Sequence, residues 1–357
     1  MSTDISINKP EPQITNIHKV VVYTADTEIK PILKLLEAGK HILVTEVYSN
    51  GAVLLKELQE RLKRTMPVAT FEEQRTYRAA YQKLSNLILI EVANHTLNVK
   101  KAPAIGWLEK LYPETPDFLL PFPQVQGLNS SWQWYTNGIA VPVLRNKLHP
   151  YYGTYFPTRF DHLILFDNWL KRYDGPKKAA YDIGIGSGVL SFQLVKYGFQ
   201  KVFGTDINPN VIVGLAEFMG ETKLSRKIEL DHVDLFGKRD KPAELIVFNP
   251  PWLPAEEEQH QLDAAIYYTE DLFEKFFAAA KTRLLPDGKL VIVFSNLAQV
   301  TNVTKAHPIK KELSKGGRFE LEICLTRKVK AASELTKRDQ NWREEEEVEL
   351  WILNHKN

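Results

Sequence analysis

A single cysteine, Cys324, stands in 357 residues. That excludes a disulfide within the chain and any zinc site built from several thiolates. An excess of one charge is also missing: 46 Lys and Arg face 44 Asp and Glu, a formal net charge of +2. Proteins that coat nucleic acid through bulk charge carry a large positive excess, so that class is set aside, although a local basic patch stays compatible with the count. Long apolar runs are absent. The purely apolar stretches are as short as residues 276–280, far below the ~20 residues of a membrane span. The opening MSTDISINKPEPQITN is polar, carries Pro10 and Pro12, and holds no apolar core of signal-peptide length. The expectation is a cytoplasmic protein with no membrane segment. No cluster of His, Cys and acids has the spacing of metal ligands, so none is expected to bind a metal.

What is present is ordinary globular material, 44% hydrophobic and 25% charged. The length suggests two or three domains. Residues 1–17 are expected to form a flexible tail. Residues 19–23 and 41–48 read as strands, with a helix opening at Thr27 and Glu28 and ending near Gly39. Apolar residues at 54, 55, 58 and 62 recur with a helical period. Thr70 with Glu73 forms a capping-box pattern that predicts a long helix to about residue 97. Prolines 103, 113, 116, 121 and 123 mark an expected domain connection. Ten aromatic residues then fall within positions 132–169, and residues 139–144 read as a hairpin strand. Those rings suit a seam between domains or a pocket lining. The expected division is a helix-rich N-terminal domain over 1–130, an aromatic hairpin and junction over 131–170, and a third region over 171–357. Residues 1–150 carry 17 Lys and Arg against 14 Asp and Glu, and Arg61, Lys63 and Arg64 form the one dense basic cluster there. A solvated helix end accounts for it.

From about residue 177 strand-like and helix-like runs alternate. Strands are predicted at 179–183, 201–205, 228–233, 245–248 and 290–294, and helices at 189–197, 210–222, 269–285 and 305–313. This alternation implies a doubly wound α/β fold with a mostly parallel sheet. Residues 319–327 and 348–354 read as two strands with no helical pattern between them, an antiparallel pair at one edge. The acid run at 344–347 reads as a solvated loop.

Four motifs lie at predicted strand ends. Asp182, Gly184, Gly186 and Gly188 form Asp-x-Gly-x-Gly-x-Gly between a strand and a helix. The spacing is not that of the pyrophosphate fingerprint, because position 189 is Val. A carboxylate just before the glycines repels pyrophosphate and favours a cationic or amino-bearing ligand. Asp206 ends the next strand and suits the two hydroxyls of a ribose, while Asn208 before Pro209 suits an N-cap. Asp234, Leu235 and Phe236 follow the third strand and offer an acid and a ring for an adenine. Asn249, Pro250, Pro251 and Trp252 follow the fourth. Two prolines stiffen the backbone and remove two N–H donors. An amide oxygen and a backbone carbonyl remain, a pair of acceptors that matches an NH2 group, with Trp252 to stack on its plane. His260 and His307 show no acidic partner at useful spacing and receive no role.

This motif set, in this order, resembles that of class I S-adenosylmethionine-dependent methyltransferases, over about residues 150–357. Within them it is similar to the branch with Asn-Pro-Pro-aromatic, which includes HemK-type glutamine methyltransferases and enzymes acting on exocyclic amines of adenine or guanine. The resemblance implies a seven-stranded Rossmann-like sheet and S-adenosyl-L-methionine as cofactor. It implies cofactor contacts from Asp182, Gly184, Gly186, Gly188, Asp206, Asn208, Asp234, Leu235, Phe236 and Asn249. It further implies a catalytic set of Asn249, Pro250, Pro251 and Trp252. Residues 155–159 sit where HemK-type proteins have a proline-rich segment, so Phe156 and Arg159 join Trp252 as expected substrate contacts. Trp252 stands where the HemK group most typically has Tyr. The acceptor expected is a protein glutamine, with a nucleic-acid base amine and a small-molecule amine as alternatives.

Overall fold

The computed structural model describes residues 5–13, 19–67, 71–220, 222–255, 265–329 and 345–356. The chain divides into two compact units, one of residues 8–137 and one of residues 138–357 with residues 1–7.

In the first unit, β1 (Val21–Tyr23), α1 (Ile29–Glu37), β2 (Ile42–Val44), α2 (Ser49–Thr65), α3 (Phe71–Ser85) and β3 (Ile88–Ala93) follow one another. The three strands are parallel neighbours in the order β1-β2-β3. α1 buries Ile32, Leu33 and Leu36, and α2 buries Leu54, Leu55, Leu58 and Leu62, the stripes their helical periods imply. β4 (Thr96–Leu97) pairs antiparallel with β3, as does β5 (Phe118–Pro121). α4 (Trp107–Leu111) precedes β5, and α5 (Phe122–Asn137) follows it.

Four expectations need correction here. The long helix stops at Ser85, because Ile88, Leu89, Ile90 and Val92 form a strand buried on both faces. Such a strand has no polar side, so its apolar run carries no period to distinguish it from buried helix. Thr70 lies outside the described residues. The proline-rich stretch is not a connection: Phe118–Pro121 is a sheet strand, preceded by Pro113 in a turn and by Pro116 in the loop after that turn. Pro121 sits at the strand's end, where a missing N–H costs little. Trp132, Trp134 and Tyr135 lie on α5, which Gly138 ends with φ 66°; residues 139 and 148 then form only an isolated antiparallel bridge, not a hairpin. Lastly, residues 5–13 are not a loose tail. Tyr112 Oη donates to the Pro10 carbonyl at 2.6 Å, and Gln13 bridges Leu119.

The second unit runs α6 (Asp161–Leu170), β6 (Ala179–Ile183), α7 (Val189–Lys196), β7 (Lys201–Asp206), α8 (Pro209–Gly220), β8 (Ile228–His232) and β9 (Ala243–Phe248). A short parallel pair, β10 (Leu253–Pro254) and β11 (Tyr267–Tyr268), precedes α9 (Leu272–Arg283). Then come β12 (Leu284–Ser295), α10 (Leu297–Val300), α11 (Pro308–Lys315), β13 (Phe319–Lys328) and β14 (Glu347–His355). Seven strands form one sheet in the order β13-β14-β12-β9-β6-β7-β8. The five from β12 to β8 are parallel, and β14 runs antiparallel to both β12 and β13. The Rossmann-like sheet with its antiparallel edge pair is therefore as expected.

The central strands β6 and β9 are buried along nearly their whole length and mostly apolar, because helices cover both faces. Leu245 and Val247 pack with Leu163, Phe166 and Leu194 on one face. Ile246 and Phe248 pack with Phe273, Phe276 and Phe277 on the other. The strand order reverses at β6, with β7 and β8 to one side and β9 to the other. Side chains leaving the carboxyl ends of β6, β7 and β9 converge at this switch point, where open α/β sheets place their ligands.

Candidate active site

Gly184, Gly186 and Gly188 all have positive φ, at 64°, 51° and 81°. The turn is closed by Ile185 N–H donating to the Thr205 carbonyl and Gly188 N–H donating to the Ile185 carbonyl, both at 2.8 Å. The glycines differ in what lies above them. A Cβ on Gly184 would meet only the Phe248 ring at 3.7 Å, and one on Gly186 only the Gly184 oxygen at 3.8 Å. One on Gly188 would fall 2.8 Å from Phe192 and 3.0 Å from Leu215. Gly184 and Gly186 thus leave open space over the loop, a cradle that a side chain would fill. Gly188 lets α7 start against its neighbours.

Two carboxylates flank this cradle. Asp182 is 1% exposed and accepts from Ser191 Oγ at 2.6 Å. Burial pushes its pKa up to about 7, the Ser191 hydrogen bonds oppose the rise, and the charge of Asp206 adds to it. Asp206 ends β7. Its two oxygens accept from the backbone N–H of Gly186 and of Asn208, each at 2.9 Å, and burial raises its pKa despite those bonds. Two buried acids, one of them raised partly by the charge of the other, favour a cation beside them.

Asn208 caps α8 by accepting from Asn210 N–H at 3.0 Å, and its own amide donates to the Gly153 carbonyl at 2.9 Å. Asp234 is exposed after β8, and Leu235 follows with φ 47°. Phe236 is a core ring, 2% exposed, edge-on to Tyr181 and stacked on Phe276. Its faces are taken by protein.

Asn249 leaves the end of β9, with Pro250 buried and Pro251 and Trp252 half-buried. Trp252 Nε1 donates to Asn249 Oδ1 at 3.2 Å. Phe156 is partly buried against the core on the α6 side. Arg159 donates to Glu346 at 2.7 Å. Glu346 is 1% exposed, which corrects the reading of residues 344–347 as a solvated loop. The guanidinium supplies the counter-charge that makes this burial tolerable. Glu344 lies outside the described residues.

Two partners were invisible in the sequence. His162, in the first turn of α6, meets the Trp252 ring edge-on at a centroid distance of 5.5 Å. Burial pushes its pKa down to about 4, so the imidazole is neutral near pH 7. Asp161 beside it accepts from Arg327 Nε at 3.0 Å. An isolated His on an apolar helix 90 positions before Trp252 offers no local signal. His307 is buried and bonded to Glu349 at 2.8 Å, a satisfied core histidine, while His260 lies outside the described residues. Among the described residues no group of His, Cys, Asp and Glu could hold a metal ion, and no helix is long and apolar enough to cross a membrane.

Residues 163–321 match the family model "Methyltransferase small domain". A Methanocaldococcus jannaschii protein, provisionally described as a protein N5-glutamine methyltransferase, is 28% identical over 200 residues, 54% of this chain and 92% of that one. This chain is an S-adenosylmethionine-dependent methyltransferase enzyme with a Rossmann-like sheet. Ribosomal protein L11 methyltransferase of Vibrio vulnificus is 26% identical over 140 residues, 39% of this chain and 42% of that one. The match thus spans less than half of that relative. Among solved structures, ribosomal protein L11 methylase of Lactobacillus delbrueckii subsp. bulgaricus aligns with a TM-score of 0.39 at 18% identity, covering 61% of this chain and 91% of that one. The cradle above Gly184 and Gly186 and the raised acids Asp182 and Asp206 fit this methyltransferase's cationic cofactor.

Proposed function

We propose that this methyltransferase acts on a primary NH2 nitrogen, and that its acceptor is a glutamine side-chain amide of a protein. One observation carries the reading: Asn249 presents an amide oxygen at the carboxyl end of β9, followed by two prolines without N–H groups. An acceptor NH2 has two N–H donors, which the Asn249 oxygen and the Pro250 carbonyl can both receive. An amide nitrogen is a poor nucleophile because its lone pair is delocalised into the carbonyl. Hydrogen bonds from both N–H groups hold the nitrogen in a geometry in which that lone pair points at the incoming methyl. The contribution is positioning and electrostatics. His162, packed on Trp252, is neutral and adds no positive charge there.

When bound, S-adenosylmethionine would supply an electrophilic sulfonium methyl; its transfer leaves the neutral thioether S-adenosylhomocysteine, and the methylated nitrogen gives up one N–H proton to water. In this proposal Gly184 and Gly186 let the backbone approach its methionine portion, Asp206 accepts from the ribose hydroxyls, and Asp234 and Leu235 meet the adenine. Asp182 acts from beneath as a buried acid. Asn208, Phe236 and Gly188 shape the site, because their side chains or Cβ positions are taken up by protein. Arg159 braces Glu346. The protein acceptor is supported by the similarity to the Methanocaldococcus jannaschii relative over nearly its whole length and by the near-zero net charge.

The test is transfer of tritium from labelled S-adenosylmethionine into a cell extract treated with protease or with nuclease. Label that survives nuclease and is lost to protease supports the protein acceptor; the reverse points to a base amine, with binding that weakens steeply with salt. Asn249→Ala should reduce transfer by about 100-fold or more, as loss of an oriented polar contact to the reacting group does, while calorimetry finds cofactor binding largely kept. Full turnover in Asn249→Ala would defeat the proposal.

A further inference from the structure

Asn249 has one hydrogen-bond partner for its side chain among the described residues, the indole N–H of Trp252 at 3.2 Å. This matters because an asparagine amide has two ends of nearly the same shape and opposite hydrogen-bonding character. The torsion that exchanges them is broad and roughly two-fold. With nothing to choose between the ends, Nδ2 would spend part of its time where Oδ1 is needed. Donor would then face donor, and the acceptor NH2 would be refused.

We propose that Trp252 is a positioning residue whose indole N–H holds the Asn249 amide in the orientation that presents Oδ1 to the acceptor NH2. This rests on the reading of Asn249 as the group that receives that NH2. A carbonyl oxygen has two lone pairs, so Oδ1 can keep the indole bond on one and receive the acceptor on the other. The reversed amide would place its own N–H against the indole N–H, so the indole selects one end only.

The indole can serve as a reference because it is itself held. Trp252 packs against the cores on both faces of the sheet. His162 meets it edge-on at 89°. The backbone is stiffened before it by Pro250 and Pro251, and after it Leu253 N–H donates to the Ile266 carbonyl at 3.1 Å. Among phenylalanine, tyrosine and tryptophan, only tryptophan carries an N–H donor on the ring nearest the backbone. Phenylalanine has none, and tyrosine carries its hydroxyl at the far end of the ring. The inference therefore gives a role to the one motif position where this chain differs from the Tyr most typical of the HemK group.

The test uses the full chain and three substitutions, with transfer of tritium from labelled S-adenosylmethionine into nuclease-treated extract protein as the rate. Trp252→Phe keeps an aromatic ring and removes the donor. It should lower the initial rate about three- to tenfold, the range one ordinary hydrogen bond commands. In 15N-labelled protein the Asn249 side-chain NH2 pair, assigned by its loss in Asn249→Ala, should broaden or double in Trp252→Phe. On an Asn249→Asp background both ends are oxygen, so adding Trp252→Phe should cost nothing further. A sharp, single Asn249 pair in Trp252→Phe overturns the proposal, as does an equal loss on the Asn249→Asp background. Those results leave Asn249 as the acceptor group. Undiminished transfer in Asn249→Ala removes the reading beneath both.

Discussion

Gly186 and Gly188 share a left-handed backbone but are glycine for different reasons. An alanine at 188 combines the strain of φ 81° with contacts of 2.8 and 3.0 Å to Phe192 and Leu215. Gly188→Ala should therefore destabilise the fold by about 2–4 kcal/mol, read as a lowered thermal midpoint. Gly186→Ala has room for its methyl and should cost only about 1–2 kcal/mol of stability, yet weaken cofactor binding strongly in calorimetry, because that methyl occupies the cradle. Equal stability losses in the two variants would refute this division. Asp182 makes a second residue-scale claim. Its folded pKa of about 7 lies above the ordinary 3.8, so between those values the folded state holds a proton that the unfolded state has lost. Its contribution is most favourable below about pH 4, declines as pH rises toward 7, and is level above that. Asp182→Asn should remove this decline, so that stability relative to wild type grows between pH 4 and 7 in denaturant titrations. A difference that stays constant with pH would show that Asp182 is ionised throughout.

At the scale of elements, the start of α6 is tied to the antiparallel edge strands and to the site at once. Asp161 bonds Arg327 at the end of β13, Arg159 bonds Glu346 just before β14, and His162 touches Trp252. Removing Arg159 leaves Glu346 buried without its counter-charge. Because Arg159 is itself 38% exposed, the cost is reduced by solvent to about 1–3 kcal/mol. Arg159→Ala should lower the thermal midpoint, and Arg159→Ala with Glu346→Leu should recover much of it. If Arg159→Ala leaves the midpoint unchanged and instead weakens acceptor binding, the residue serves the acceptor directly. These elements also show where sequence signals run out. The sheet strands of the second unit and most helices after residue 177 were legible because alternation, glycine and proline punctuate them, whereas α6 was not. Nor was β3, because a strand buried on both faces resembles any apolar run.

At the scale of the molecule, the switch point and every residue assigned to the cofactor lie within residues 138–357. We expect that segment alone to bind S-adenosylmethionine with affinity within about tenfold of the full chain by calorimetry, a change of no more than about 1.4 kcal/mol. Loss of binding in a folded segment would show that the first unit takes part in holding the cofactor. The net charge of +2 belongs to this scale too. With a protein acceptor, transfer should change little between about 50 and 200 mM salt, whereas contacts to several phosphates would lower binding by orders of magnitude over that range.

The sequence alone determined the strand–helix alternation, the glycine turn, the acids at strand ends and the Asn-Pro-Pro-Trp segment. Each of these depends on neighbours a few positions apart, so the order of residues contains the whole signal. Only the tertiary structure decided that Phe236 is a core ring, that Arg159 faces Glu346, that His162 braces Trp252, and that Trp252 bonds Asn249. Most of these pairings join residues far apart in the chain. Even the closest, Trp252 with Asn249, depends on a backbone turn and on the packing of the indole between two cores. Chain connectivity sets which chemical groups are available; folding in three dimensions sets which of them remain free to meet a ligand.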